Sequence, residues 1–308
     1  MLEADVIIPV YRPTRRFLEL LDMLESQSLP IGKIILINTE KKYFDQLTKG
    51  TDFWKKHQKL IVEHITKEEF DHGGTRNFGV SLSKASYFIM MTDDAIPADN
   101  RLVERLLAPF EDEKVGMTYA RQMPAEESGA IERYTRSFNY PEASCQKSAE
   151  DLKEMGIKTF FASNVCAAYR RDIFDGLKGF TDHTIFNEDM IYARGLLNAG
   201  YRIAYVADAK VVHSHNYSGR EQLERNFDLG VSHADYPQIF SGLSTESEGI
   251  RLVKKTCAHL FKIGKPWLVF KLVWQSGCKY LGYFLGKRYK KLPRKVIKKF
   301  SMNKGYWK

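Results

Sequence analysis

Short apolar runs recur along the first two thirds of the chain, each closed by polar or turn-forming residues. Asp5–Val10 (DVIIPV), Lys33–Ile37 (KIILI), Leu60–His64 (LIVEH) and Tyr87–Met91 (YFIMM) have the length of buried strands. Phe17, Leu20, Leu21 and Leu24 fall at helical spacing and predict a helix over Phe17–Gln27. Asn38–Asp52 is polar and reads as a loop. Strands alternating with helical patterns argue for a parallel, Rossmann-like α/β sheet. In Phe70–Gly79 (FDHGGTRNFG), Gly73-Gly74 predicts a tight turn, and Thr75 caps a helix running to Ser86. Backbone amides at such a helix start suit phosphate, and Arg76 is placed to reach a phosphate or the acidic pair downstream.

Past Met91 the pattern predicts a helix over Asn100–Phe110 and a strand over Val115–Ala120, then an irregular stretch to Lys158. Thr159–Tyr169 (TFFASNVCAAY) reads as a strand with Ser163-Asn164 inside it. A polar pair in an apolar segment needs partners, which suggests that it faces a cleft. Arg170–Leu177 and Met190–Ala199 read as helices, the second closed by Gly200. Tyr201–Val206 and Lys210–His215 read as two further strands.

Charge changes this picture at the C-terminal end. The 308 residues carry a formal net charge of +9. Residues 251–308 hold 17 Lys and Arg and no Asp or Glu, which leaves 30 basic and 38 acidic residues in 1–250, a net −8. This divides the chain into a catalytic-type body, 1–250, and a basic aromatic tail, 251–308. Phe270, Trp274, Cys278, Leu281 and Leu285 form one helical stripe in the tail. No uncharged run approaches the roughly 18 residues that span a bilayer. The tail therefore reads as a basic amphipathic helical C-terminal extension lying on an anionic membrane surface. A helix packed on the body and a nucleic-acid-binding segment are the alternatives. Cys145, Cys166, Cys257 and Cys278 make no CxxC pair and no metal spacing, as reduced cytosolic thiols would. The start, MLEADVIIPVY, reads as a strand and not as a signal peptide.

The chemistry gathers at three places. Thr92-Asp93-Asp94 follows the apolar run Tyr87–Met91, and ligands of open α/β sheets bind at the carboxyl ends of strands. Adjacent carboxylates there are costly unless neutralised, and Mg²⁺ or Mn²⁺ holding a diphosphate would supply the charge. Glu188-Asp189 is a second acidic pair at a helix start, and His213-Ser214-His215 ends a strand. No Cys or Ser nucleophile arrangement appears. These parts suit one chemistry: a cation holds the leaving diphosphate of an activated donor while a carboxylate deprotonates an incoming hydroxyl. A nucleotidyltransferase also uses acidic pairs on a Rossmann-like sheet, but VIIPVYRPTRR lacks its Gly-rich basic loop. A basic membrane- or nucleic-acid-binding protein with a degenerate catalytic domain is the competing class.

The order VIIPVYR, DHGGTRNFG, MTDDAIP, NEDM and VVHSHNY resembles glycosyltransferase family two. The wording of DDAIPAD, RQMP, IERYTRSFNYP and FFASNVCAAYRRDIF resembles its bacterial dTDP-rhamnosyltransferase-like branch. The likeness covers about Ala4 to His233. It implies a GT-A fold, a mostly parallel sheet flanked by helices, and inverting transfer with Mn²⁺ or Mg²⁺. By resemblance, Pro9, Val10 and Tyr11 line the nucleobase pocket and Arg76 lies near the nucleotide. Thr92-Asp93-Asp94 stands at the family's DxD motif, which makes Asp94 a metal ligand and Asp93 a nucleotide or ribose contact. Asp189 matches the general base, Glu188 orients acceptor or base, and Asn164 lies on the acceptor side. His213 or His215 completes the metal site. Where the family often has Asp after the second strand, this chain has Asn38-Thr39-Glu40. The branch implies L-rhamnose moved from dTDP-β-L-rhamnose to a polyprenyl-diphosphate-linked saccharide in cell-surface polysaccharide synthesis. The protein would then be cytoplasmic and peripheral on the inner face of the cell membrane, with nucleic acid an unlikely partner.

Overall fold

The structure is a computed structural model that describes residues 3–242 and 245–307. One nine-stranded sheet forms its centre. The strands are β1 (Ala4–Tyr11), β2 (Ile31–Thr39), β3 (Leu60–Ile65), β4 (Tyr87–Met91), β5 (Ile96–Pro97), β6 (Val115–Met123), β7 (Cys145–Lys147), β8 (Cys166–Arg170) and β9 (Arg202–Val212). Their order is β3-β2-β1-β4-β8-β6-β9-β5, with β7 also paired to β9. Pairings β1–β2, β2–β3, β1–β4 and β6–β9 are parallel. Strands β5, β7 and β8 run against the other six. The chain steps outward from β1 to β2 and β3, then returns to place β4 on the other side of β1. That reversal is a topological switch point, where α/β sheets open a ligand crevice.

The helices are α1 (Arg15–Glu25), α2 (Lys41–Thr48), α3 (Phe53–Lys56), α4 (His72–Ser81), α5 (Leu102–Leu107), α6 (Ala130–Asn139), α7 (Leu152–Met155), α8 (Arg171–Gly176) and α9 (Glu188–Asn198). They continue with α10 (Gly219–Asp235), α11 (Pro237–Phe240), α12 (Thr245–Lys262), α13 (Leu268–Gly286) and α14 (Arg294–Phe300). Side chains alternate across a strand. Val6, Ile8 and Val10 of β1 therefore join α1 and α5 in one core, while Ile7 joins Val80 of α4 and Leu196 of α9 in the other. Both faces of the parallel half are covered, which is why its strands read as unbroken apolar runs.

Several local expectations change. The stretch expected as a loop, Asn38–Asp52, contains α2, whose buried residues are only Phe44 and Thr48, too narrow a stripe to announce a helix. The cap of α4 is Asp71, whose carboxylate accepts from the Gly74 N–H, and not Thr75. Gly73-Gly74 is no tight turn: both lie in the first turn of α4, and a Cβ on Gly73 would stand 1.9 Å from the Thr181 carbonyl oxygen. Of the expected strand Thr159–Tyr169 only the end is strand, where β8 begins at Cys166 and runs to Arg170. The two strands expected after Gly200 are the single β9, whose register against β6 slips between Val206 and Lys210.

The C-terminal segment beyond residue 250 packs closely on the body. Glycines let α13 lie against α10 at backbone distance. A Cβ on Gly282 would meet the Leu223 carbonyl oxygen at 2.2 Å, and one on Gly286 that of Phe227 at 2.1 Å. Phe227 and Val231 of α10, Ile185 of the body and Ile297 of α14 form a third core, sealed by Phe300, Tyr289, Tyr306 and Trp307. Asp228 of α10 accepts from the Met302 and Asn303 N–H groups. The C-terminal helices are thus an arm built onto the body.

Candidate active site

The crevice is lined first by the ends of β1 and β4. The Tyr11 N–H donates to Asp93 Oδ2 at 3.1 Å, tying the two strand ends across the switch point. Burial raises the Asp93 pKa to about 6. Val10 is fully in the core, so its side chain does not line the crevice as expected. Tyr11 is exposed at the mouth, edge-on to Tyr43, with the Arg12 guanidinium over both rings. Pro9 is only partly exposed, one residue further into β1. Asn38 is buried, with its amide nitrogen 3.0 Å from His64 Nδ1.

The second group converges on Asp94. His213 Nε2 lies 3.4 Å from Asp94 Oδ1, and His215 Nε2 lies 3.4 Å from Asp94 Oδ2. One ligand atom from each of the three lies within 4.8 Å of the others. Gln122 orients His213. Arg136, which can only donate, bonds the side-chain oxygen of Gln122, and His213 Nδ1 lies 3.1 Å from that same oxygen. Nδ1 therefore carries a hydrogen, and Nε2 is the ring nitrogen turned toward Asp94, the orientation seen in metal-bound histidines. Burial, then the His213 charge, lower the His215 pKa to about 4, so His215 is neutral near pH 7. Burial opposes ionisation of Asp94, but the hydrogen bond and charge of His213 hold its pKa well below the ordinary range. A carboxylate facing two imidazole nitrogens is a donor set that fits a divalent transition metal.

The third group is the acidic pair at the start of α9. Asp189 Oδ2 accepts from the Asn164 N–H at 3.0 Å and Oδ1 from the Met190 N–H at 2.7 Å. Burial, then the adjacent Glu188 charge, push the Asp189 pKa up. Glu188 accepts from Asn164 Nδ2 at 3.0 Å and faces Arg76 Nε at 3.3 Å. Burial works to raise its pKa, and the Arg76 charge overcomes that. The structure thus drives the two neighbours apart: Glu188 stays ionised and Asp189 becomes the more basic.

Two expectations are corrected here. Arg76 does not reach Asp93 or Asp94. It is buried against Glu188 and donates to the His72 carbonyl oxygen at 2.8 Å. The start of α4 is likewise not open to phosphate, because the Gly74 N–H is taken by Asp71 and the backbone of Thr181 and Asp182 presses on Gly73. The motif is a clamp, which Asn77 extends by bonding the Phe180 carbonyl oxygen. Asn164, expected on the acceptor side, is held among the partners of the acidic pair. It is 2 % exposed, with its amide nitrogen on Glu188 and its side-chain oxygen accepting from Tyr169.

Residues 163–165 connect all three groups. Ser163 Oγ accepts from Gln122, the partner of His213. Asn164 holds Glu188 and Asp189. The Val165 carbonyl oxygen accepts from the Thr92 N–H beside Asp93 and Asp94. Ser163-Asn164 already stood out along the chain as a polar pair needing partners. Gln122 and Arg136 carried no such signal, since only the fold brings them to His213.

Residues 5–177 match glycosyl transferase family 2. The chain belongs to that family. It is 37% identical over 310 residues to the O-antigen chain rhamnosyltransferase RfbN of Salmonella typhimurium, covering 99% of this chain and 96% of that one. It is 38% identical over 307 residues to the O-antigen chain rhamnosyltransferase WbaN of Salmonella anatum, covering 98% and 95%. This family 2 chain is therefore a glycosyltransferase. In fold it resembles the mannosyltransferase PcManGT from Pyrobaculum calidifontis, solved with GDP-Man and Mn²⁺, at a TM-score of 0.55 and 16% identity over 99% of this chain and 84% of that one. It also resembles S. aureus TarS 1-349 solved with UDP, at a TM-score of 0.53 and 13% identity over 94% of this chain and 91% of that one. Both likenesses place the sheet in the GT-A class.

Proposed function

We propose that this chain transfers L-rhamnose from dTDP-β-L-rhamnose, with inversion, to a hydroxyl of a polyprenyl-diphosphate-linked saccharide in cell-surface polysaccharide synthesis. The observation that carries the reading is 37–38% identity, across nearly the whole chain, to two O-antigen chain rhamnosyltransferases. The site's division of labour supports it. Asp94, His213 and His215 would hold the cation. Their mixed nitrogen and oxygen donors suit Mn²⁺ better than Mg²⁺, which favours oxygen. When bound, the cation takes up the charge of the leaving diphosphate.

Asp189 is the base. Its raised pKa makes it a stronger proton acceptor than an exposed carboxylate. It takes the proton of the acceptor hydroxyl as that oxygen bonds to the anomeric carbon. The bond from that carbon to the diphosphate oxygen breaks, and its electron pair leaves with dTDP. A single displacement on the β-L-sugar gives an α-L-rhamnoside. Asn164 and Arg76 are positioning residues that aim Asp189 and keep Glu188 ionised. Tyr11 and Pro9 lie where a nucleobase would enter, with Asp93 beside them.

At the membrane the arm would lie on the inner leaflet. Trp267, Phe270 and Trp274 are 63%, 84% and 68% exposed, although large aromatics are usually covered. Among the described residues no helix is long and apolar enough to cross a membrane. The test is a thermal-shift panel of nucleotide sugars with Mn²⁺, followed by NMR of the product linkage. The reading predicts the largest shift with dTDP-rhamnose and an α-linked product. A larger shift with another nucleotide sugar would replace the donor, and a β-linked product would remove the inversion.

A further inference from the structure

A cavity of about 140 Å³ opens beside His215. That is room for a group, since pockets for whole ligands run about 300–1,000 Å³. Its walls come from α6, from residues 215–217 and from α13. The helix α13 offers Lys271, Gln275 and Lys279 at i, i+4 and i+8, so all three share a face. Among the described residues neither ammonium has a carboxylate within 4.0 Å; both are absent from the ion pairs that do form. Glu132, in the opposite wall, is taken by Arg136 Nε at 2.8 Å. Gln275 spends its amide on the Tyr217 carbonyl oxygen at 3.3 Å. Burial lowers the Lys279 pKa, and Glu132 only partly restores it. A half-buried cation without a partner is costly unless an anion fills the space. Arg136 and Arg225 lie near enough to perturb Lys279 and add positive potential.

The neighbouring face of α13 lines an apolar groove of about 630 Å³ with Val273, Trp274, Gly277 and Leu281. One helix therefore presents lysines on one side and a groove on the next. That pairing fits a molecule whose anionic head and apolar chain are covalently joined. The donor's diphosphate already has the cation site at Asp94. We propose that the cavity beside His215 is the subsite for the diphosphate of the lipid-linked acceptor, held by Lys271 and Lys279, with the prenyl chain leaving along α13. This rests on the acceptor class proposed above.

The test uses the full chain and farnesyl diphosphate as probe, titrated in a calorimeter with Mn²⁺ and saturating dTDP to fill the donor site. Wild type should bind the probe. Lys271→Gln/Lys279→Gln should bind it at least about tenfold more weakly, the scale of two lost charge-assisted hydrogen bonds. Lys279→Arg should retain binding, and farnesol should not distinguish variant from wild type. Lys84→Gln, which removes one positive charge from an exposed residue far along the chain, should change nothing. If the double variant does not fold, Lys271→Gln alone carries the test, because Lys271 is exposed and its loss removes no packing. Probe binding that ignores the lysines, or that dTDP displaces, overturns the subsite alone. Lysine-dependent binding in a protein that glycosylates only phosphate-free acceptors overturns the acceptor class, and the subsite with it.

Discussion

The body and the C-terminal arm handle charge in opposite ways. In the body, carboxylates are drawn inward and each is given partners: Asp93 has Tyr11, Glu188 has Arg76 and Asn164, and Asp189 has two backbone N–H groups. In the arm, 17 cations face few acids, large aromatics stand exposed, and glycine contacts fasten the helices. Buried charge with specific partners sets protonation states, which chemistry needs. Unpaired surface charge beside exposed apolar rings prepares a meeting with something else, in the proposed function an anionic lipid surface and its head groups. The difference teaches that net charge reports what a segment meets, and small residues report what it is built on.

The largest effect that would break this contrast is in the body. Asp189→Asn keeps shape but cannot accept a proton, and general bases contribute about 10²–10⁴-fold. Transfer should fall by that factor; a near-normal rate would move the role to Glu188. Next comes the seam between body and arm. Gly286→Val puts a Cβ 2.1 Å from the Phe227 carbonyl oxygen, a backbone atom that no rotamer change relieves. The cost should approach about 3 kcal/mol, at the high end of overpacking, read as a lower melting temperature. An unchanged melting curve would mean that the arm is only loosely attached.

Asp228 sharpens the same seam through pH. Burial raises its folded-state pKa to about 6, above its ordinary 3.8. Between those values the folded state binds more protons than the unfolded one, so stability falls as pH rises from about 4 to 6. The change is about 1–3 kcal/mol. Asp228→Asn should flatten that slope in denaturant titrations at stepped pH, and an unaltered slope would remove Asp228 from the account. The smallest stability effect is at the exposed rings. Trp267→Ser/Phe270→Ser/Trp274→Ser should shift unfolding by no more than about 0.5 kcal/mol per site. The same variant should lose sedimentation with anionic vesicles, a binding that high salt also weakens in wild type. Undiminished sedimentation would take the membrane face elsewhere.

Much of the parallel half-sheet was legible because buried parallel strands are continuous apolar runs, and β1, β2, β3 and β4 stand within two residues of the runs that announced them. The acidic pairs and histidines were legible as motifs, since Asp94, His213 and His215 do come together. The meaning of FDHGGTRNFG was not. Its glycine serves an approach from Thr181, more than a hundred residues away, and no local pattern carries that contact. Helix α2 was hidden because it buries only two side chains. The arm's attachment was hidden for the same reason in reverse: its 17 cations suggested a tail lying on a membrane surface, while the contact with the body is made by Gly282 and Gly286.

The central claim is that two carboxylate sites divide the reaction, Asp94 with its histidines holding the cation and donor, Asp189 taking the proton. The most direct measurement is calorimetric titration of dTDP with Mn²⁺ into wild type, Asp94→Asn and Asp189→Asn. The account predicts that wild type and Asp189→Asn bind alike and that Asp94→Asn loses its Mn²⁺-dependent binding. Undiminished Mn²⁺-dependent binding by Asp94→Asn, or its loss in Asp189→Asn, would contradict the division.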